Sequence, residues 1–131
     1  MNDATRKRCI LIVEDEMFLA LILEDVLEEA GFCVLKAARL PAALAFAESA
    51  EIDAAILDIN LSGTEVFPAA DALRRRGIPF LFTSGYGEDG LPPDYEHCAM
   101  MQKPYGVERL QQALATLLVQ DTAPTPPSGE G

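Results

Sequence analysis

Five short, nearly unbroken apolar runs alternate along the chain with longer stretches whose apolar residues recur at helical spacing. The runs are CILIV (Cys9–Val13), FCVLKA (32–37), AAILD (Ala54–Asp58), IPFLFT (78–83) and CAMMQK (98–103). Near-continuous apolarity over so few residues is what a parallel strand covered on both faces requires. Between the runs lie MFLALILEDVLEEAG, LPAALAFAESA and TEVFPAADALRRRG. In the first of these Phe18, Leu21, Ile22 and Val26 fall on one helical face, and Gly31 follows as a stop signal. A last helix is expected over about residues 106–120. The segment after it, DTAPTPPSGEG, is rich in Pro, Gly and Ser and reads as a disordered tail, 121–131.

This alternation predicts an α/β fold: a parallel sheet with helices on both faces, joined by right-handed crossovers. One connection is irregular. SGYGEDGLPPDYEH, between the fourth and fifth runs, carries three glycines and two adjacent prolines. It cannot hold a long regular helix, so a loop or a short, poorly formed helix is expected there. The chain of 131 residues has room for one domain with a real core and not for two comfortable ones.

Charge narrows the partners. Twenty-one acidic residues against 10 basic ones give a formal net charge of −11, which repels nucleic-acid phosphates and anionic membranes. Arg74, Arg75 and Arg76 read as the solvated end of a helix rather than a binding stripe. Acidic residues such as Glu24, Asp25, Glu28 and Glu29 interrupt the longest apolar clusters, so no segment is expected to span a bilayer. The N-terminal MNDATRKRC lacks the apolar core of a signal peptide, and a cytoplasmic location is the default. Cys9, Cys33 and Cys98 are odd in number, lack metal-ligand spacing and sit in apolar runs. They read as reduced, buried small hydrophobes.

Parallel strands end on one edge of their sheet, and open α/β folds place their sites at that edge. The residues that close the runs should therefore meet. Run one ends in Glu14, Asp15 and Glu16, run three in Asp58, run four in Thr83 and Ser84, and run five in Lys103 and Pro104. Any one of these could be a simple strand cap. As a set they are costly, because two like charges ~4 Å apart repel by about 4 kcal/mol at an effective dielectric of roughly 20. Lys103 alone cannot compensate Glu14, Asp15 and Asp58. A divalent, oxygen-liganded ion can, and Mg²⁺ suits a few carboxylates, retained waters and a phosphoryl partner.

With IVEDE, ILDINLSG, FTSGYG and QKPY in this order and at these strand ends, the chain resembles the receiver domain of bacterial two-component response regulators over about residues 8–120. The resemblance implies a flavodoxin-like (βα)5 fold with sheet order 2-1-3-4-5, preceded by a flexible N-terminus, 1–7. The short or disordered fourth helix follows from the Gly- and Pro-broken segment and not from the resemblance, which implies Asp58 as phosphoacceptor, Asp15 as direct metal ligand, Glu14 as the second acidic position and Asn60 as donor of a backbone carbonyl to Mg²⁺. Thr83 matches the hydroxyl that bonds the phosphoryl group, and Lys103 the lysine that pairs with it. The Lys103–Pro104 bond is expected to be cis.

Two departures mark the chain. The fifth-run position that usually carries an inward-turning aromatic is Met100, which leaves Tyr86, Met100 and Pro104 as candidate switch residues. PFLFTSGYG resembles the subgroup with a Phe-x-Thr-x-Gly-Tyr signature, whose members often stand alone and pair with histidine kinases of the HWE or related class. The expected function is a single-domain regulator without an output domain. It takes a phosphoryl group from a partner's phosphohistidine and signals by protein contact, or drains phosphate from a shared kinase. A histidine phosphotransfer or downstream signalling protein is a further expected partner; nucleic acid and membrane are not. It is not an enzyme on this reading, with slow autodephosphorylation at most, since Asn60 is no strong base. A degenerate, phosphate-independent binding module and a Mg²⁺-dependent aspartyl-phosphate phosphohydrolase are the alternatives.

Overall fold

The computed structural model describes residues 7–85 and 91–122, with side chains through residue 119. Its elements are β1 (Cys9–Val13), α1 (Met17–Glu29), β2 (Cys33–Ala37), α2 (Leu40–Ser49), β3 (Ala54–Asp58), β4 (Asn60–Leu61), β5 (Thr64–Glu65), α3 (Phe67–Arg75), β6 (Phe80–Ser84), a 3-10 turn at Pro93–Tyr95, β7 (Met100–Gln102) and α4 (Val107–Thr122). Five strands form one parallel sheet in the order β2-β1-β3-β6-β7. This is the flavodoxin-like order expected from the sequence; the hairpin β4-β5 takes two numbers without joining the sheet.

Side chains alternate across the strands and divide the core in two. Leu11, Val13, Ala55, Leu57 and Phe82 face α2 and α3, where Ala43, Ala47, Ala69, Ala70 and Leu73 meet them. Ile10, Ile12, Ala54, Ile56, Leu81 and Met101 face α1 and α4, against Leu23, Leu27, Leu110, Leu114 and Leu117. Alanine dominates the α2 and α3 contacts, and leucine those of α1 and α4.

The apolar face of α1 is not the one that helical spacing picks out. Ala20, Leu23 and Leu27 are buried, Val26 is half-buried, and Phe18, Leu21 and Ile22 point to solvent, Phe18 being 84% exposed. Residues 17–23 are all apolar, so two overlapping stripes compete and only the sheet selects between them. The three arginines are exposed at the end of α3, as expected, and two of them also make contacts. Arg76 donates to the Ala47 and Ala50 carbonyls (2.8 Å each), closing the end of α2, and Arg74 lies 4.1 Å over the Tyr95 ring.

The connection from β6 to β7 contains no long helix among its described residues, only the turn at Pro93–Tyr95. Tyr95 fills the space instead. Its ring is buried, stacks on Phe67 at 5.5 Å and meets Phe82 edge-on at 5.5 Å, while its hydroxyl bonds to Asp71. Nothing in the sequence pattern singled this residue out. Among the described residues no helix is long and apolar enough to cross a membrane.

Candidate functional site

The C-terminal edge of the sheet collects the polar residues that end the strands. Glu14, Asp58, Thr83 and Ser84 are the buried polar side chains of the described structure. Asp58, the last residue of β3, lies in register with Thr83 of β6, and Thr83 with Met101 of β7. The ladder extends past the strands: the Ile59 N–H donates to the Thr83 carbonyl (3.0 Å), and the Lys103 N–H to the Ser84 carbonyl (2.8 Å). These backbone bonds fix where Asp58, Thr83 and Lys103 stand relative to one another.

Lys103 Nζ lies 2.9 Å from Glu14 Oε1 and 3.1 Å from Asp58 Oδ2. Carboxylate oxygens of Glu14, Asp15 and Asp58 can all lie within 4.8 Å of one another. Local backbone donors orient them: the Glu16 N–H reaches Glu14 Oε2 (3.0 Å) and the Asn60 N–H reaches Asp58 Oδ1 (3.3 Å). Asp15, half-buried, takes a hydrogen bond from the Ser62 hydroxyl. Ser62 has φ 53° and Gly63 φ 94°, in the turn of the β4-β5 hairpin, where the Asn60 side-chain oxygen accepts the Gly63 N–H at 2.6 Å. Left-handed backbone costs glycine little and brings the serine hydroxyl back toward Asp15. Ser62 is a site residue that the strand-end argument missed. Its signal in the sequence was the Ser-Gly pair that forms the turn.

One ammonium serves a cluster of carboxylates, and the imbalance falls on the most desolvated of them. Burial pushes Glu14 up to about 7, against the pull of its bonds to Lys103 and the Glu16 N–H. Burial disfavours the Lys103 ammonium, yet the bonds to Glu14 and Asp58 outweigh it and hold Lys103 above the ordinary lysine range. Tyr105 follows Pro104 after the cis Lys103–Pro104 bond. Its hydroxyl is buried with no hydrogen-bond partner among the described residues, and burial pushes it up to about 12, with the negative charge of Glu14 adding to the effect.

The donor set is three carboxylates, and such hard oxygen ligands select Mg²⁺ or a similar cation over softer metals. Residues 10–115 match the model of the response regulator receiver domain. The chain belongs to that family.

Solved structures that resemble it include SdrG from Sphingomonas melonis Fr1, with 41% identity, 86% of this chain and 98% of SdrG covered, and a TM-score of 0.76. The BeF3-activated conformation of SdrG matches at 42% identity over 85% of this chain and 96% of that one, with a TM-score of 0.71. Among curated proteins, the transcriptional regulatory protein TcrA of Mycobacterium tuberculosis is 30% identical over 92% of this chain. The chain spans about half the length of that relative, 50%.

Of the candidate switch residues, Met100 lies on β7 and is 37% exposed, whereas its neighbour Met101 is buried. Pro104 is exposed. Tyr86 lies outside the described residues. His97, the single histidine of the chain, is exposed along a groove between β6, β7 and α4, away from the acidic edge.

Proposed function

We propose that the chain is a phosphoacceptor: Asp58 takes a phosphoryl group from the phosphohistidine of a partner kinase in a Mg²⁺-dependent reaction. The observation that carries this reading is the carboxylate of Asp58 at the end of β3, facing Lys103 at 3.1 Å within the Glu14 and Asp15 cluster. A carboxylate oxygen of Asp58 attacks phosphorus, the P–N bond breaks in line, and its electron pair returns to the imidazole. Glu14, Asp15, Asp58 and the Asn60 carbonyl would hold Mg²⁺, which neutralises charge on the transferring group when bound. Lys103 and Thr83 take the remaining phosphoryl oxygens; for Lys103 this means leaving its present bond to Asp58. Asn60 offers no strong base to activate water, so loss of the phosphoryl group is slow.

The family implies a histidine kinase partner, and the acidic surface argues against nucleic acid. Residues 83–86 carry the Thr-x-Gly-Tyr half of the subgroup signature, with Leu81 standing where it has Phe. This half and an exposed Met100 in the usual aromatic position support that subgroup and a kinase of the HWE or related class. The exposed residues Met17, Phe18, Leu21 and Ile22 begin two positions after Asp15. They form the apolar surface on which the partner's histidine-bearing helices seat beside Asp58. Such exchange takes place in the cytoplasm.

Incubation with acetyl phosphate and Mg²⁺, followed by intact mass measurement, tests the assignment. The wild type should gain one phosphoryl group and Asp58→Ala none. No gain in the wild type would instead favour a phosphate-independent module, and fast multi-turnover release of phosphate would favour a hydrolase.

A further inference from the structure

Cys9 and Cys33 stand 24 residues apart in sequence and side by side in the sheet. Cys9 opens β1, Cys33 opens β2, and the two are direct register partners. Alternation puts both on one face, since Leu11 and Val13 follow Cys9, and Leu35 and Ala37 follow Cys33, into the same core. Their sulfurs lie 2.7 Å apart. Neighbouring strands run about 4.8 Å apart, inside the ~4.4–6.8 Å Cα range that a disulfide spans. Closing the bond therefore needs side-chain rotation and no strand movement.

The register on both sides is pinned: the Cys33 N–H donates to the Arg8 carbonyl (2.8 Å) and the Cys9 N–H to Asp53 Oδ2 (2.7 Å). The two thiols differ in access. Cys9 is buried, while Cys33 is half-buried on β2, the edge strand of the sheet. Cys98 cannot compete within the chain. It precedes β7 at the opposite edge, four strand spacings or about 19 Å from Cys33 and three or about 14 Å from Cys9, and burial pushes its thiol up.

We propose that Cys9 and Cys33 form a peroxide-oxidisable pair that closes into a reversible intrachain disulfide. The Cys33 thiolate attacks a peroxide oxygen, the O–O bond breaks, and Cys33 becomes a sulfenic acid as hydroxide leaves and takes up a proton. Cys9 sulfur then attacks the Cys33 sulfur. The S–O bond breaks, the Cys9 proton is lost, and water departs. Hydrogen peroxide is thereby reduced to water while two thiols become one disulfide. In a reducing compartment such a bond is transient, formed on oxidative exposure and removed by thiol reductants. It staples β1 to β2 at the base of the sheet. The acidic residues lie at the far end of β1, about 16 Å along the strand, so phosphoacceptor chemistry stays outside its reach and the proposal does not depend on that reading.

The reduced full chain is treated with hydrogen peroxide under native conditions, unfolded in denaturant with an alkylating reagent, and mapped by mass spectrometry. The expected result is a monomer lighter by two hydrogens with Cys98 alone alkylated. One cross-linked peptide should contain Cys9 and Cys33, and dithiothreitol should restore all three alkylatable thiols. Cys9→Ser should lose the cross-link and leave Cys33 as a sulfenic acid or a more oxidised form. Three alkylatable thiols after treatment, a sulfinic acid on wild-type Cys33, or a cross-link through Cys98 would overturn the proposal.

Discussion

The ammonium of Lys103, just after β7, lies 3.1 Å from the carboxylate of Asp58 at the end of β3, although β6 lies between β3 and β7 in the sheet and 45 residues separate the two in sequence. The proposed nucleophile is thus held before the reaction by the group proposed to meet the phosphoryl oxygens after it. Lys103 also bonds Glu14, so any change at one member of this triad is felt by the other two.

Removing the lysine should expose the cost of the cluster. Lys103→Met leaves Glu14 and Asp58 buried without their cation, and destabilisation of about 3 kcal/mol is expected. Urea unfolding with a chelator measures it. Added Mg²⁺ should recover part of the loss, because a divalent cation replaces the missing charge.

Removing a carboxylate should do the opposite. Asp58→Asn keeps the shape and deletes one negative charge, so the metal-free protein should gain about 1 kcal/mol. The rise in melting temperature with Mg²⁺ should shrink in the same variant. A metal-free Asp58→Asn protein no more stable than wild type would count against the repulsion argument.

Stability should fall as pH rises toward neutrality without metal. Glu14 is pushed from 4.5 up to about 7 by burial, so between those values the folded state binds more protons than the unfolded one. The slope of unfolding free energy with pH is then negative: the contribution is complete below about 4.5 and is lost as pH rises through about 7. The full shift would be worth about 3 kcal/mol, and solvent screening at a partly open site leaves a change on the order of 1–2 kcal/mol. Glu14→Gln should flatten the profile across this window in chelator-containing buffer.

Tyr95 should matter for stability and not for acceptance of phosphate. Tyr95→Ala opens a cavity among Phe67, Phe80 and Phe82 and should cost about 3–4 kcal/mol. Tyr95→Phe keeps the stacking, loses the bond to Asp71 and should cost about 1 kcal/mol. Labelling by acetyl phosphate at a temperature where both remain folded should match wild type.

The exposed face of α1 separates docking from chemistry. Phe18 and Ile22 are 84% and 55% exposed, so Phe18→Ala and Ile22→Ser should each change stability by no more than about 0.5 kcal/mol. Acetyl phosphate should label both variants at the wild-type rate. Transfer from a phosphorylated partner kinase, followed by loss of label from the kinase, should slow about tenfold or more in the double variant.

Local pattern carried the architecture. Strand cores were legible because a doubly covered strand must be apolar throughout, and CILIV and AAILD coincide with β1 and β3. The meeting of Glu14, Asp15, Asp58, Thr83 and Lys103 was legible too, since parallel strands place all their C-terminal ends on one edge. Thr64 and Glu65 open a stretch of helical spacing and form β5 instead. The turn at Ser62 and Gly63 pairs them with Asn60 and Leu61 before α3 begins.

What only the tertiary structure decided depends on partners far apart in the chain. The α1 face was ambiguous because its first turns are apolar all round, and only contact with the sheet picks Ala20, Leu23 and Leu27. Tyr95 reads as one more loop residue until Phe67, Phe80 and Phe82 surround it. Ser62 gains its role from Asp15, 47 residues away, and Cys9 from Cys33 across a strand pair. Sequence periodicity fixes the period of an element and the edge at which it ends. Register, helix rotation and side-chain company are set by packing, which couples positions that no local pattern connects.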